Sequence, residues 1–137
     1  MAKEIELLNK IFSIGIVTFA LSSPVCANEI VSQTCDDFTV EDNQISAYCR
    51  DISGDFTKTT IIIHGLENID GQLVAKQSFR PANFHSSCSD ISIDDYGLLS
   101  AFCKSRDGSL LETSIDLDSF LVNDNGRLID KRFPVSR

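Results

Sequence analysis

Apolar and polar residues alternate along most of this chain in runs too short for helices. Ile45, Ala47 and Cys49 fall on one side of a period-two pattern, with Ser46, Tyr48 and Arg50 on the other. Leu99, Ala101 and Cys103 repeat the pattern further on. Such alternation fits strands with one buried face. Ile61 and Ile63, like Ile115 and Leu117, mark a second strand face, and Val74 and Ile129 lie beyond the next turns. DISGDF (51–56) and SRDGSL (105–110) look like hairpin loops. IDGQ (69–72) and DNGR (124–127) are stronger turn signals, because Gly accepts the backbone angles that a tight turn needs. Short helical turns are expected at 66–67 and 118–121, the second with an Asp available to cap it. Long amphipathic helices are absent from the pattern. It predicts an all-β fold.

The strands come twice. LENIDGQLV (66–74) and LVNDNGRLI (121–129) are echoes, and a slide of 53 to 55 residues superposes far more than these turns. ISAYCRDISGDF (45–56) falls on LSAFCKSRDGSL (99–110), and TIIIHGL (60–66) falls on SIDLDSF (114–120). Two unrelated hairpins would not share cysteines, aromatics and glycines in the same order. The chain is an internal duplication of about fifty residues, with repeats at about 30–80 and 81–132. The joint between them, LVAKQSFRPANF (73–84), is fixed in part by Pro81.

The N-terminus has a different character. Lys3 and Lys10 flank a short polar stretch, IFSIGIVTFAL (11–21) is an apolar core of signal-peptide length, and Val25-Cys26-Ala27 places small residues before a cleavage point. Residues 1–27 read as a signal peptide removed from a single domain at 28–137, and the apolar run is too short to span a membrane comfortably. Export to the medium or to a bacterial periplasm is expected. Because Glu4 and Glu6 balance the two lysines, cleavage leaves the net charge of −8 unchanged. An acidic surface without basic clusters disfavours nucleic acid and anionic membranes.

Cleavage would leave four cysteines: Cys35, Cys49, Cys88 and Cys103. An even number in an exported domain reads as two disulfides, and spacing alone permits three pairings. A structural zinc site lacks its usual close CxxC pairs. Pairing within each repeat, Cys35–Cys49 and Cys88–Cys103, closes loops of similar size at symmetric positions. Each such bridge should remove roughly 3 kcal/mol of unfolded-state entropy.

Together these motifs resemble a known family. SQTC (32–35), the next cysteine, the IDG turn, PANFHSSC (81–88), CKSR (103–106) and a closing NDNG (123–126) are similar to the cyanovirin-N homology (CVNH) lectins. The resemblance covers nearly all of the chain after residue 27. It implies a pseudo-two-fold fold of two small antiparallel sheet modules with short helical turns, in which the repeats exchange strands. It also implies metal-free binding of mannose-rich oligosaccharides, often α1,2-linked, with one site at each end and no cofactor. A monomer is the expected form, and the strand exchange allows a domain-swapped dimer as the alternative.

Carried over residue by residue, the second-module site comprises Glu67, Asn68 and Asp70 from the turn, Asn83 and Ser87 from the joint, and Lys104, Ser105 and Arg106 after the cysteine. Ala82, Ser86 and Gly108 depart from the larger or more polar residues of the family pattern. The first-module site comprises Gln33, Thr34, Arg50, Asn123, Asp124 and Asn125. Here Arg50 and Ile52 replace an acid and a hydroxyl, so the second site is expected to dominate. Amides, carboxylates and hydroxyls suit a pyranose, whose neighbouring hydroxyls each donate and accept. Arg106 could lie over a sugar ring or brace Glu67. Asn68, Asp70, Asn123 and Asn125 also have an ordinary use in stabilising tight turns.

Catalysis finds little support. His64 and His85 belong to no nucleophile or HExxH pattern, and Asp94–Asp95 or Asp116 and Asp118 do not read as a cleaving pair. DNG at 124–126 lacks the acidic ligands of a calcium loop. The competing expectation is a non-catalytic, secreted adhesion or inhibitory module that keeps the fold and has lost mannose binding.

Overall fold

A computed structural model of the protein describes residues 28–133. The expected signal peptide at 1–27 lies outside the described residues. The architecture is all-β. The first triple-stranded sheet comprises β2 (Cys35–Glu41), β3 (Gln44–Arg50) and β4 (Phe56–Ile62), and β3 is central. Its counterpart comprises β7 (Cys88–Ile93), β8 (Leu98–Lys104) and β9 (Leu110–Asp116). Two hairpins complete the molecule: β5 (Leu66–Ile69) with β6 (Gln72–Ala75), and β10 (Leu121–Asp124) with β11 (Arg127–Asp130). A short β1 (Asn28–Glu29) adds to the edge of β10.

The central strands show why the alternating pattern works. Ile45, Ala47 and Cys49 on β3, and Leu99, Ala101 and Cys103 on β8, are all buried. In each sheet the first two cysteine-bearing strands pair in register, Cys35 opposite Cys49 and Cys88 opposite Cys103, and both pairs are disulfide-bonded. Both outer strands carry a bulge, with Asp37 and Asp90 in the left-handed region at φ 55° and 51°. Asp tolerates that conformation better than a bulky residue does.

Each hairpin leaves its own repeat. Strand β6 packs on β9, and β11 packs on β4. Leu73 N donates to Thr113 Oγ1 at 3.1 Å, and Leu128 N donates to Thr59 Oγ1 at 3.1 Å. The second module is therefore β5–β9, and the first is β1–β4 with β10–β11. A single core, including Val31, Ile63, Leu66, Phe84, Leu117, Phe120 and Leu128, joins both disulfides. Phe84 and Phe120 are fully enclosed, so truncating either to Ala should cost about 3–5 kcal/mol.

The helical turns differ from expectation at one place. Residues 66–67 open strand β5, because Leu66 is needed in the core opposite Ala75. The turn at Leu117–Ser119 is helical, and the Asp116 carboxylate caps it by accepting from Asp118 N at 3.0 Å. Two further turns, Val31–Thr34 and Phe84–Ser86, stand just before the first cysteine of each repeat and bury Val31 and Phe84.

Candidate functional site

The site is organised by the tip of the β5–β6 hairpin. Asp70 and Gly71 have φ of 52° and 91°, the two successive positive values of a tight hairpin turn. Asn68 locks this tip. Its Oδ1 accepts from Gly71 N at 2.8 Å, while Nδ2 donates to Ser87 Oγ at 2.9 Å and to the Lys104 carbonyl at 3.0 Å. The Asp70 carboxylate accepts from Arg106 N at 2.8 Å. Turn, joint and post-cysteine loop, three segments remote in sequence, are thus held together by one amide and one carboxylate.

Beside this clasp lies a cleft of about 360 Å3. Glu67, Asn68, Asn83 and Ser87 of the expected second-module set line it. Its wall is completed by Gly65, Arg80, Pro81, Ala82 and Ser86. Asp70, Ser105 and Arg106 instead line a second depression of about 350 Å3 with Asp107, Ser109 and Leu111. Seven of the eight expected residues therefore divide between two concavities, and the eighth, Lys104, contributes its carbonyl to the clasp. Glu67 is braced by Lys76, Nζ to Oε1 at 3.6 Å, which is one of the two roles considered for Arg106.

Arg80 was missed by the sequence reading, although its position before Pro81-Ala82-Asn83 was available as a signal. Ser86, read as a departure from the family pattern, lies in the cleft. In the post-cysteine loop the Ser105 hydroxyl donates to Asp107 Oδ1 at 2.6 Å and Ser109 N donates to it at 2.9 Å. These bonds, the hydroxyl first, hold the Asp107 carboxyl down at about 2.

The first module repeats the clasp without repeating the surface. Asn123 Oδ1 accepts from Gly126 N at 2.7 Å, and Nδ2 donates to Thr34 Oγ1 at 3.0 Å and to the Arg50 carbonyl at 2.9 Å. Asn125 Oδ1 accepts from Ile52 N at 2.9 Å, as Asp70 does from Arg106. Asn123 and Thr34, both expected at the first-module site, are buried. Asp124 is half-buried in β10, while Gln33, Arg50 and Asn125 are exposed. The Arg50 guanidinium lies 6.0 Å from the centre of the Phe56 ring. In the aligned positions, Val122, Ile30 and Ile52 stand where the second module has Glu67, Asn83 and Arg106.

A family model for the CVNH domain matches residues 32–128. The chain belongs to the CVNH family. Solved relatives share its fold. A microvirin structure in complex with mannobiose is 26% identical, with a TM-score of 0.56 over 74% of this chain and 98% of that one. The CVNH protein of Gibberella zeae is 26% identical, with a TM-score of 0.57 over 72% and 94%. The CVNH-LysM module of the rice blast fungus Magnaporthe oryzae is 17% identical, with a TM-score of 0.65 over 74% and 97%. Among the described residues of this CVNH chain, no cluster of three or more His, Cys, Asp or Glu is placed to hold a metal. No helix among them is long and apolar enough to cross a membrane.

Proposed function

We propose that this CVNH protein is a non-catalytic lectin that binds mannose-rich oligosaccharides, without a metal, mainly through the second-module cleft. The observation that carries the reading is the cleft itself: Glu67, Asn83, Arg80 and Ser86, which carry a carboxylate, an amide, a guanidinium and a hydroxyl, line one concavity beside a pinned turn. Such a set can answer hydroxyls that both donate and accept, and a partly enclosed hydroxyl left without a partner is costly, which gives discrimination. The mannobiose bound in the microvirin complex supports the choice of sugar. The apolar replacements Val122, Ile30 and Ile52 support the preference for the second module.

One observation favours a second reading, an adhesion or inhibitory module without mannose binding. Both N–H groups of Asn68 are committed to the clasp, so that side chain has no donor left for a sugar. Titration with linear oligomannose, followed by amide NMR, separates the two readings. Shifts clustered at Glu67, Asn83 and Ser86 are expected of the lectin. A flat response to oligomannose and to a broad glycan array would leave the second reading.

We also propose export through cleavage after Ala27, because two disulfides need an oxidising compartment. N-terminal sequencing of the exported product should begin at Asn28. The monomer is taken as the main form. The joint is held within one chain by Gly65 N to the Arg80 carbonyl at 3.0 Å and Ala82 N to the Ile63 carbonyl at 2.8 Å. Light scattering across a dilution series should show constant monomer mass.

A further inference from the structure

Strand β11 runs on past the end of the family match at residue 128, and the chain then turns through Lys131, Arg132 and Phe133. Arg132 spends its guanidinium there on four acceptors. Nε and Nη2 grip the Asp130 carboxylate at 2.9 and 2.6 Å. Nη1 donates to the Lys76 carbonyl at 3.0 Å, and Nη2 donates also to the His64 carbonyl at 2.7 Å. The guanidinium sits over the rings of Phe120 at 4.8 Å and Phe133 at 5.1 Å. Its own backbone is tied as well, because Arg132 N donates to Asp130 Oδ1 and the Arg132 carbonyl accepts from Gln77 Nε2. The ion pair is largely withdrawn from solvent, with side chains 14% and 11% exposed. So many fixed partners make this a rigid planar fork, which an ammonium could not reproduce.

The two carbonyls that it holds belong to the framework of the cleft. His64 precedes Gly65, whose N donates to the Arg80 carbonyl at 3.0 Å and whose carbonyl accepts from Lys76 N at 2.6 Å. Gly65 and Arg80 line the cleft, and the Lys76 side chain braces Glu67, which also lines it. There is no slack at this junction: a Cβ on Gly65 would collide with the Lys76 carbonyl oxygen, and Gly65 has φ +69°. Arg132 itself does not line the cleft. It bridges the backbones of His64 and Lys76, which are joined through Gly65 to the wall.

We propose that Arg132 is a positioning residue of the glycan cleft, fixing the 64–65 and 76–80 segments and thereby the placement of Glu67 and Arg80 against the sugar. The inference rests on the lectin reading for its ligand and on the hydrogen bonds for its geometry. Neither the cleft residues nor the family-matched segment contains this control.

The test compares Arg132→Lys and Arg132→Gln with the parent protein. Denaturant curves first establish conditions in which every variant is fully folded, so that affinity is read apart from stability. The lysine variant keeps a cation beside Asp130 and serves if the glutamine variant fails to fold. Calorimetry with linear oligomannose should show affinity about tenfold weaker or more in both variants. Amide resonances of Gly65, Glu67 and Lys76 should move, and those of Ile52 and Asn125 in the first module should stay. Folded variants with affinity within about twofold of the parent would overturn the proposal. If the parent itself ignores oligomannose, the lectin reading fails and Arg132 is judged by hydrogen exchange. Exchange of the Gly65 and Lys76 amides should then accelerate about tenfold relative to Leu128 if Arg132 holds this wall, and unchanged exchange would refute it.

Discussion

Asn123 occupies in the first module the place that Asn68 holds in the second, with the same three hydrogen bonds, yet Asn123 is fully buried and Asn68 only partly. One amide closes a sealed joint, while the other forms part of the wall of an open cleft. Replacing Asn123 by Ala would strand the buried Gly126 N–H without its acceptor. The expected loss is about 2–3 kcal/mol, against about 1–2 kcal/mol for Asn68→Ala, where water can reach the broken bonds. Urea unfolding midpoints of the two variants check the order, and equal losses would show that burial is not what separates them.

Sugar binding should follow the open module. Glu67→Gln combined with Asn83→Ala is expected to weaken oligomannose binding by one to two decades, about 1.5–3 kcal/mol. Gln33→Ala combined with Arg50→Ala, both exposed positions of the first module, should change it by less than about twofold. These residues are better probes than the turn asparagines, whose removal would loosen the clasp. Calorimetry that gave the opposite order would move the main site to the first module.

The two disulfides should contribute equally. They close loops of 14 and 15 residues at equivalent positions of equivalent sheets. Removing Cys35 with Cys49, or Cys88 with Cys103, by double Ala substitution should lower stability by about 3 kcal/mol in either case. Chemical denaturation measures both, and a negligible loss for one pair would show that its module is held by packing alone.

The post-cysteine loop carries its own pH signature. Asp107, with its carboxyl held down at about 2 against an ordinary 3.8, keeps its loop bonds throughout the neutral and mildly acid range. Because the folded value is the lower one, its stabilising contribution is complete above the unfolded value and is lost as pH falls through about 2. Ser105→Ala removes the leading cause and should raise the Asp107 midpoint toward 3.8 in a carboxyl NMR titration. An unmoved midpoint would assign the depression to the Ser109 bonds instead.

Much of this protein is local, and what is local could be read from the chain. Alternation at Ile45, Ala47 and Cys49 and at Leu99, Ala101 and Cys103 specifies a buried strand face, since side chains on a strand alternate by geometry. The Asp-Gly and Asn-Gly pairs specify tight turns because their backbones accept positive φ. The matched cysteine spacing of the duplication points to a bridge within each repeat, and the register of the paired strands decides it. The surface roles of the asparagines could not be read in this way. Asn68 and Asn123 hold the same place in the repeated turn and make the same three bonds, and the packing of each hairpin onto the other repeat leaves one beside a cleft and the other sealed. The division of the expected site between two concavities, and the reach of Arg132 to His64 and Lys76, depend likewise on contacts between distant segments. Such contacts leave no periodic trace in the chain, because their energy comes from hydrogen bonds that exist only once the hairpins have been exchanged.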